Sequence, residues 1–182
     1  SNAEKFLADE EMRRAQTDAQ TLGAVEELGR YLGLEKPPYR MECFDISHIQ
    51  GAETVASMVV FEGGMPKKSD YRRFKIRSTE GKPDDFLSMR EVTQRRYGDL
   101  PEENLPDLIV IDGGKGQLSS ALEIIRGARH ADVPVVGLAK QFELVFREGE
   151  SEPVVLPRHS QALYLIERIR DEAHRFAITY HR

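Results

Sequence analysis

The spacing of apolar residues changes character along the chain and marks out its elements. Over residues 4–34, Leu7, Met12, Ala19, Leu22, Val25, Leu28 and Leu32 recur at near-helical intervals among many charges, which predicts an amphipathic helix. Gly33 offers a stop, and Pro37-Pro38 cannot continue a helix. Residues 4–36 therefore read as a connecting helix packed on the domain, in preference to a partner-binding coiled coil. From Tyr39 the pattern turns to strands: a short mixed run Met41–Ile46 with Asp45 closing it, then the β-branched, apolar Thr54–Phe61. The Gly63-Gly64 turn signal comes next, succeeded by the alternating Tyr71–Ile76. These three predict an antiparallel meander. Pro83-Asp84-Asp85 then starts a helix to about Tyr97, its acidic residues placed where the helix dipole favours them.

Leu108–Asp112 is a continuous apolar run of the kind buried on both faces of a parallel sheet. Gly113-Gly114-Lys115-Gly116 comes after it as a turn, then a helix from about Gln117 to Gly127, and a second buried strand over Val133–Leu138. Phe142–Phe146 and Val154–Leu156 predict a small hairpin. Ser160 can cap a last helix to about Tyr180, with Ala162, Ile166, Ile169, Ala173 and Ala177 on one face. A meander and then alternation is the order of an α/β domain, here over residues 37–182. Its sheet is mixed, meander plus parallel strands, and helices flank it.

Composition narrows the classes. Of 182 residues, 40% are apolar and 31% charged, enough to bury a core. No run of about 18 apolar residues exists, so no membrane partner is expected. Ser1-Asn2-Ala3 reads as an expression scar. Behind it stands neither a start methionine nor a signal peptide, so a fragment of a longer chain is expected. Cys43, the sole cysteine, rules out internal disulfides and agrees with a cytoplasmic location. The net charge of −5 points to weak DNA binding by this piece alone, since phosphate contacts supply most such affinity.

Two aspartates, Asp45 and Asp112, sit at the carboxyl ends of predicted strands, where α/β sheets form their sites. Two carboxylates converging there, with no internal cation predicted beside them, would repel unless Mg2+ or Mn2+ lay between. Each is equally readable as a strand-end turn residue, and both readings stand at this level. The glycine-rich turn resembles a phosphate cradle, but lacks the spacing of a nucleotide P-loop. A tight turn that needs glycines fits it as well. No nucleotide cofactor is therefore expected, and the amides of Gly114 and Gly116 with Lys115 are candidates for a DNA phosphate. His174 lies at the margin of the last helix's buried stripe, facing inward enough to reach a sheet end, and Arg170, four residues back on the same face, is a further candidate for a DNA phosphate. Asp171 and Arg175 read as a surface pair. Cations interleaved with aromatics around Arg72 and Arg73, and at Gln94–Tyr97, suit a DNA backbone as well as they suit a solvated face.

Several segments together closely resemble one family, in order and with plausible spacing from about Tyr39 onward. They are Glu42–His48, Val55-Ala56-Ser57, Tyr71-Arg72-Arg73, Ile109–Leu118, Gly137–Lys140 and Arg170–Ala177. The likeness is to the carboxyl-terminal nuclease region of UvrC. It implies a ribonuclease H-like fold, with which the element order is compatible, and a metal site of Asp, Asp and His. These fall on Asp45, Asp112 and His174, with Asp85 as a further acidic position. The implied activity is a metal-dependent DNA phosphodiesterase that makes the 5′ incision at lesions, with UvrB and damaged duplex DNA as partners. The family's other nuclease, its helix-hairpin-helix motifs and its UvrB-docking segment have no counterpart among these residues. A non-catalytic nucleic-acid module is the rival reading; it would lack an Asp or the His, and all three are present.

Overall fold

The computed structural model describes residues 1–49, 53–79, 82–128, 132–141 and 143–181. Eight strands and four α-helices succeed one another as α1 (Asn2–Leu32), β1 (Arg40–Ile49), β2 (Glu53–Glu62), β3 (Met65–Pro66), β4 (Arg72–Lys75), α2 (Asp85–Tyr97), β5 (Leu108–Asp112), α3 (Gly114–Gly127), β6 (Val135–Leu138), β7 (Leu144–Arg147), β8 (Val154–Val155) and α4 (Gln161–Ile178). All strands join one sheet in the order β3-β2-β1-β5-β6-β7-β8, with β4 also pairing β2. β1, β5 and β6 run parallel, while β2 and β4 form the expected antiparallel meander with β1. β7 and β8 form the expected hairpin; of that prediction, Phe142 lies outside the described residues.

Side-chain parity sorts the core into two layers. Met41 and Cys43 of β1, Val59 and Phe61 of β2, and Leu108 and Val110 of β5 face α1 and α4, meeting Leu28, Ile166, Ile169 and Ala173. Their alternates Phe44, Met58, Val60, Ile109 and Ile111 face α2 and α3, meeting Met89, Val92, Tyr97 and Ile125. A strand with a helix on each face favours apolar residues at every position, which is why β5 reads as an unbroken run. In α1 only the second half, with Ala24, Val25, Leu28 and Leu32, enters this core, whereas Phe6, Leu7 and Met12 are exposed. Gly33 ends α1 in the left-handed conformation, its N–H on the Arg30 carbonyl and that of Leu34 on Gly29.

Two predicted boundaries move by three residues, from Ile46 to Ile49 and from Gln117 to Gly114. β1 continues to Ile49, four residues past Asp45, because the β1–β2 hairpin goes on pairing where β5 has stopped. α3 begins at Gly114, so the predicted glycine turn is its first turn. Glycines there look like a loop in sequence, but two of them make room for a neighbour. A Cβ on Gly113 would lie 2.2 Å from the Gln117 side chain, and one on Gly116 would lie 2.6 Å from the Phe86 ring. Gly114 takes φ +80, a conformation disfavoured for other residues.

Candidate metal centre

In the parallel pair of β1 and β5, Phe44 stands beside Ile111. One step on, Asp45 and Asp112 reach the open end of that pair, with the parity that aims them at α4. α4 supplies the two groups that meet them. His174 Nε2 lies 2.8 Å from Asp112 Oδ2, and Arg170 Nε lies 3.2 Å from Asp112 Oδ1. Asp45, Asp112 and His174 each offer one ligand atom, all within 4.8 Å of one another. A hard cation bonded at ~2.0–2.6 Å reaches ligand atoms up to about 5 Å apart, and cis ligands of an octahedral ion stand about 3 Å from each other. Two carboxylate oxygens and an imidazole nitrogen so placed fit a divalent ion in both respects.

The electrostatics agree. Burial, with Asp112 and Asp85 nearby, pushes the Asp45 carboxyl from 3.8 up to about 7, against the opposing pull of His174 and Arg170. The same field is felt beneath the site, where burial and then Asp112 and Asp45 push the Cys43 thiol well up. That thiol is fully buried and therefore unreactive. Ser57, the cross-strand partner of Asp45, is buried with a hydroxyl that has no hydrogen-bond partner among the described residues.

The expectation that no internal cation stands by the carboxylates is corrected by Arg170, whose side chain is 9% exposed. His174 reaches the sheet end as expected, on Asp112, while its side chain stays half-exposed. The expected Asp171–Arg175 pair is replaced by Arg175 on Glu172, at 2.6 and 2.9 Å, because Glu172 also receives the Tyr71 hydroxyl and is thereby held within reach.

Asp85 comes from the other side of the sheet, at the first turn of α2. Its Oδ1 is 2.6 Å from His48 Nε2 and its Oδ2 accepts from Gln117 Nε2 at 3.3 Å. Neither His48 nor Gln117 stands out in the sequence, although both lie in the segments that carry the family likeness. Of the phosphate candidates, Arg73 donates to the Phe176 carbonyl and the Thr179 hydroxyl and stacks on Phe176. Lys115 donates to the Ser151 carbonyl, and Arg72 lies over Phe74 on the exposed edge. In the Gln94–Tyr97 stretch, Arg96 is turned inward onto Glu42.

Among the described residues no helix is long and apolar enough to cross a membrane. The model of the UvrC RNase H endonuclease domain matches residues 29–178. UvrABC system protein C of Salinibacter ruber is 55% identical over 163 residues, covering 87% of this chain and 26% of that protein. The same-named protein of Symbiobacterium thermophilum is 46% identical, covering all of this chain and 33% of that one. The chain thus spans a quarter to a third of the length of these curated relatives. Among solved structures, endonuclease V of Ciona intestinalis is similar at TM-score 0.43 and 14% identity, covering 89% of this chain and 69% of that one. A family model matched across most of the chain, together with relatives at this identity, places it in the UvrC RNase H endonuclease domain family, and its mixed-sheet fold is ribonuclease H-like.

Proposed function

We propose that this chain is the part of a UvrABC excinuclease subunit that hydrolyses one DNA strand on the 5′ side of a lesion, in cytoplasmic nucleotide excision repair. The observation that carries this reading is the approach of Asp45, Asp112 and His174 to within 4.8 Å at the open end of β1 and β5, in a chain of that family. Asp45 and Asp112 would hold Mg2+ or Mn2+, which when bound polarises a phosphate and lowers the pKa of water. His174 completes the shell or handles a proton of the attacking water. Its half-exposed position suits either role. Arg170 keeps Asp112 oriented and offsets part of the carboxylate charge, and Asp85 is the fourth member of the catalytic set. Arg72 and the first amides of α3, at Gly114 and Gly116, remain the groups best placed for DNA phosphates; Arg73, Lys115 and Arg170 are the candidates already engaged within the protein. The net charge of −5 fits a piece that relies on other parts of a longer protein, and on a UvrB–DNA complex, for its substrate.

The test pairs binding with cutting. Calorimetric titration of the chain with Mn2+ should show a site that Asp45→Asn removes. Titration with ATP and Mg2+ should show no nucleotide binding. In the complete subunit, His174→Ala should lower 5′ incision by a factor of at least ~10²–10⁴, with 3′ incision as the internal control and little change in melting temperature. Undiminished Mn2+ binding by Asp45→Asn would move the site elsewhere.

A further inference from the structure

Asp85 is the first residue of α2, and its side chain is 40% exposed. A carboxylate so placed has several accessible rotamers, yet here both of its oxygens are engaged. His48 Nε2 stands 2.6 Å from Oδ1, and Gln117 donates to Oδ2 at 3.3 Å. His48 is held in turn at its other nitrogen, 3.1 Å from the Thr54 hydroxyl. Thr54 is buried and is the cross-strand partner of His48 in the part of the β1–β2 hairpin that runs on past β5. Gln117 reaches Asp85 by folding back over the Cα of Gly113, where any Cβ would collide with it. The hairpin, α2 and α3 thus converge on one carboxylate.

This arrangement separates the two histidines near the site. His174 lies in the three-residue ligand cluster. His48 has both ring nitrogens occupied by protein groups, which leaves it no lone pair for a cation and no free N–H for DNA. We infer that His48 is a positioning residue for strand cleavage: anchored by Thr54 and seconded by Gln117, it locks the Asp85 carboxylate at the open end of β1 while touching neither the cation nor the substrate. This rests on the reading of Asp85 as a member of the catalytic set.

The experiment is a double-mutant cycle on 5′ incision by the complete subunit, with 3′ incision as control, together with Mn2+ calorimetry on the chain. His48→Leu should lower 5′ incision about 10–100-fold, the usual scale for losing a group that orients an active-site residue. His48→Gln, which keeps an N–H donor, should recover part of that loss. On an Asp85→Asn background, His48→Leu should cost less than about twofold more, because the two act through one carboxylate. Mn2+ affinity should stay within about twofold of the parent. Should His48→Leu melt far below the parent, Thr54→Val, which keeps the imidazole and removes its anchor, gives the same cycle. Full incision by His48→Leu, an undiminished loss on the Asp85→Asn background, or a tenfold fall in Mn2+ affinity would each overturn the inference. Asp85→Asn with parental incision would remove the reading of Asp85 itself and this inference with it, yet leave the Asp45–Asp112–His174 centre standing.

Discussion

Three residues apart on β1, Glu42 and Asp45 begin two clusters built from the same ingredients and finished differently. Glu42 is fully buried, and its carboxylate receives Arg40 at 3.0 Å, Arg96 at 2.8 and 3.1 Å and the Tyr97 hydroxyl at 2.6 Å. Arg40 goes on to Glu62 and Asp70, so every charge is answered by another. A buried charge is tolerable only when paired and hydrogen-bonded, and here donors outnumber the acceptor they enclose. At the other end, one guanidinium and one half-exposed imidazole both go to Asp112, and burial together with the Asp112 charge raises the pKa of Asp45. The closed cluster holds the helix α2 to the sheet; the open one leaves carboxylate charge that a cation can satisfy. Counting donors against acceptors separates the two where residue type does not.

The contrast can be broken at several points. The largest effect is on metal: Asp45→Asn and Asp112→Asn should each abolish Mn2+ binding measured by calorimetry, while Glu42→Gln leaves the affinity unchanged. Stability should respond in the opposite pattern. Glu42→Ala leaves the Arg96 guanidinium and the buried Tyr97 hydroxyl without their acceptor, and should cost about 3–5 kcal/mol in denaturant unfolding. Asp45→Asn should not destabilise at neutral pH.

The pH dependence has a definite sign. Because the Asp45 pKa is raised in the fold, from 3.8 to about 7, the folded chain holds a proton that the unfolded chain has released. Its favourable contribution is complete below pH 3.8 and is lost as pH rises to about 7, on the order of a few kcal/mol. Metal-free parent should therefore lose melting temperature across that window relative to Asp45→Asn, and Mn2+ at about pH 7.5, above the folded-state pKa, should restore it. Parallel melting curves for the two proteins would remove the open-cluster account. The smallest effect belongs to Lys115, an exposed cation bonded to a carbonyl. Lys115→Ala should change stability by less than about 0.5 kcal/mol and leave Mn2+ binding intact.

Much of this fold was legible because burial writes itself into residue type. The run Leu108–Asp112 has a helix on each face and holds nothing polar before its last residue. Asp112 stood out for the same reason, as the polar residue where that apolar run stops, whereas Asp45 lies in a mixed strand that runs on to Ile49. What stayed hidden depends on pairings distant in sequence. Arg170 could be placed on the His174 face of α4, but not paired with Asp112 until the sheet brings the two together. His48 is an unremarkable strand residue until α2 delivers Asp85. The glycines after Asp112 read as a loop because the reasons for them, the Gln117 side chain and the Phe86 ring, appear only once the helices pack.

The contact between Gly116 and Phe86 has a mechanical consequence. Phe86 adjoins Asp85, so the spacing between α3 and the start of α2 sets where that carboxylate stands. A methyl group at position 116 would meet the Phe86 ring at 2.6 Å, so that ring, itself 55% exposed, would have to swing aside. The bare α-carbon of Gly116 thus leaves the berth that the Phe86 ring occupies, next to the residue whose carboxylate meets His48 and Gln117.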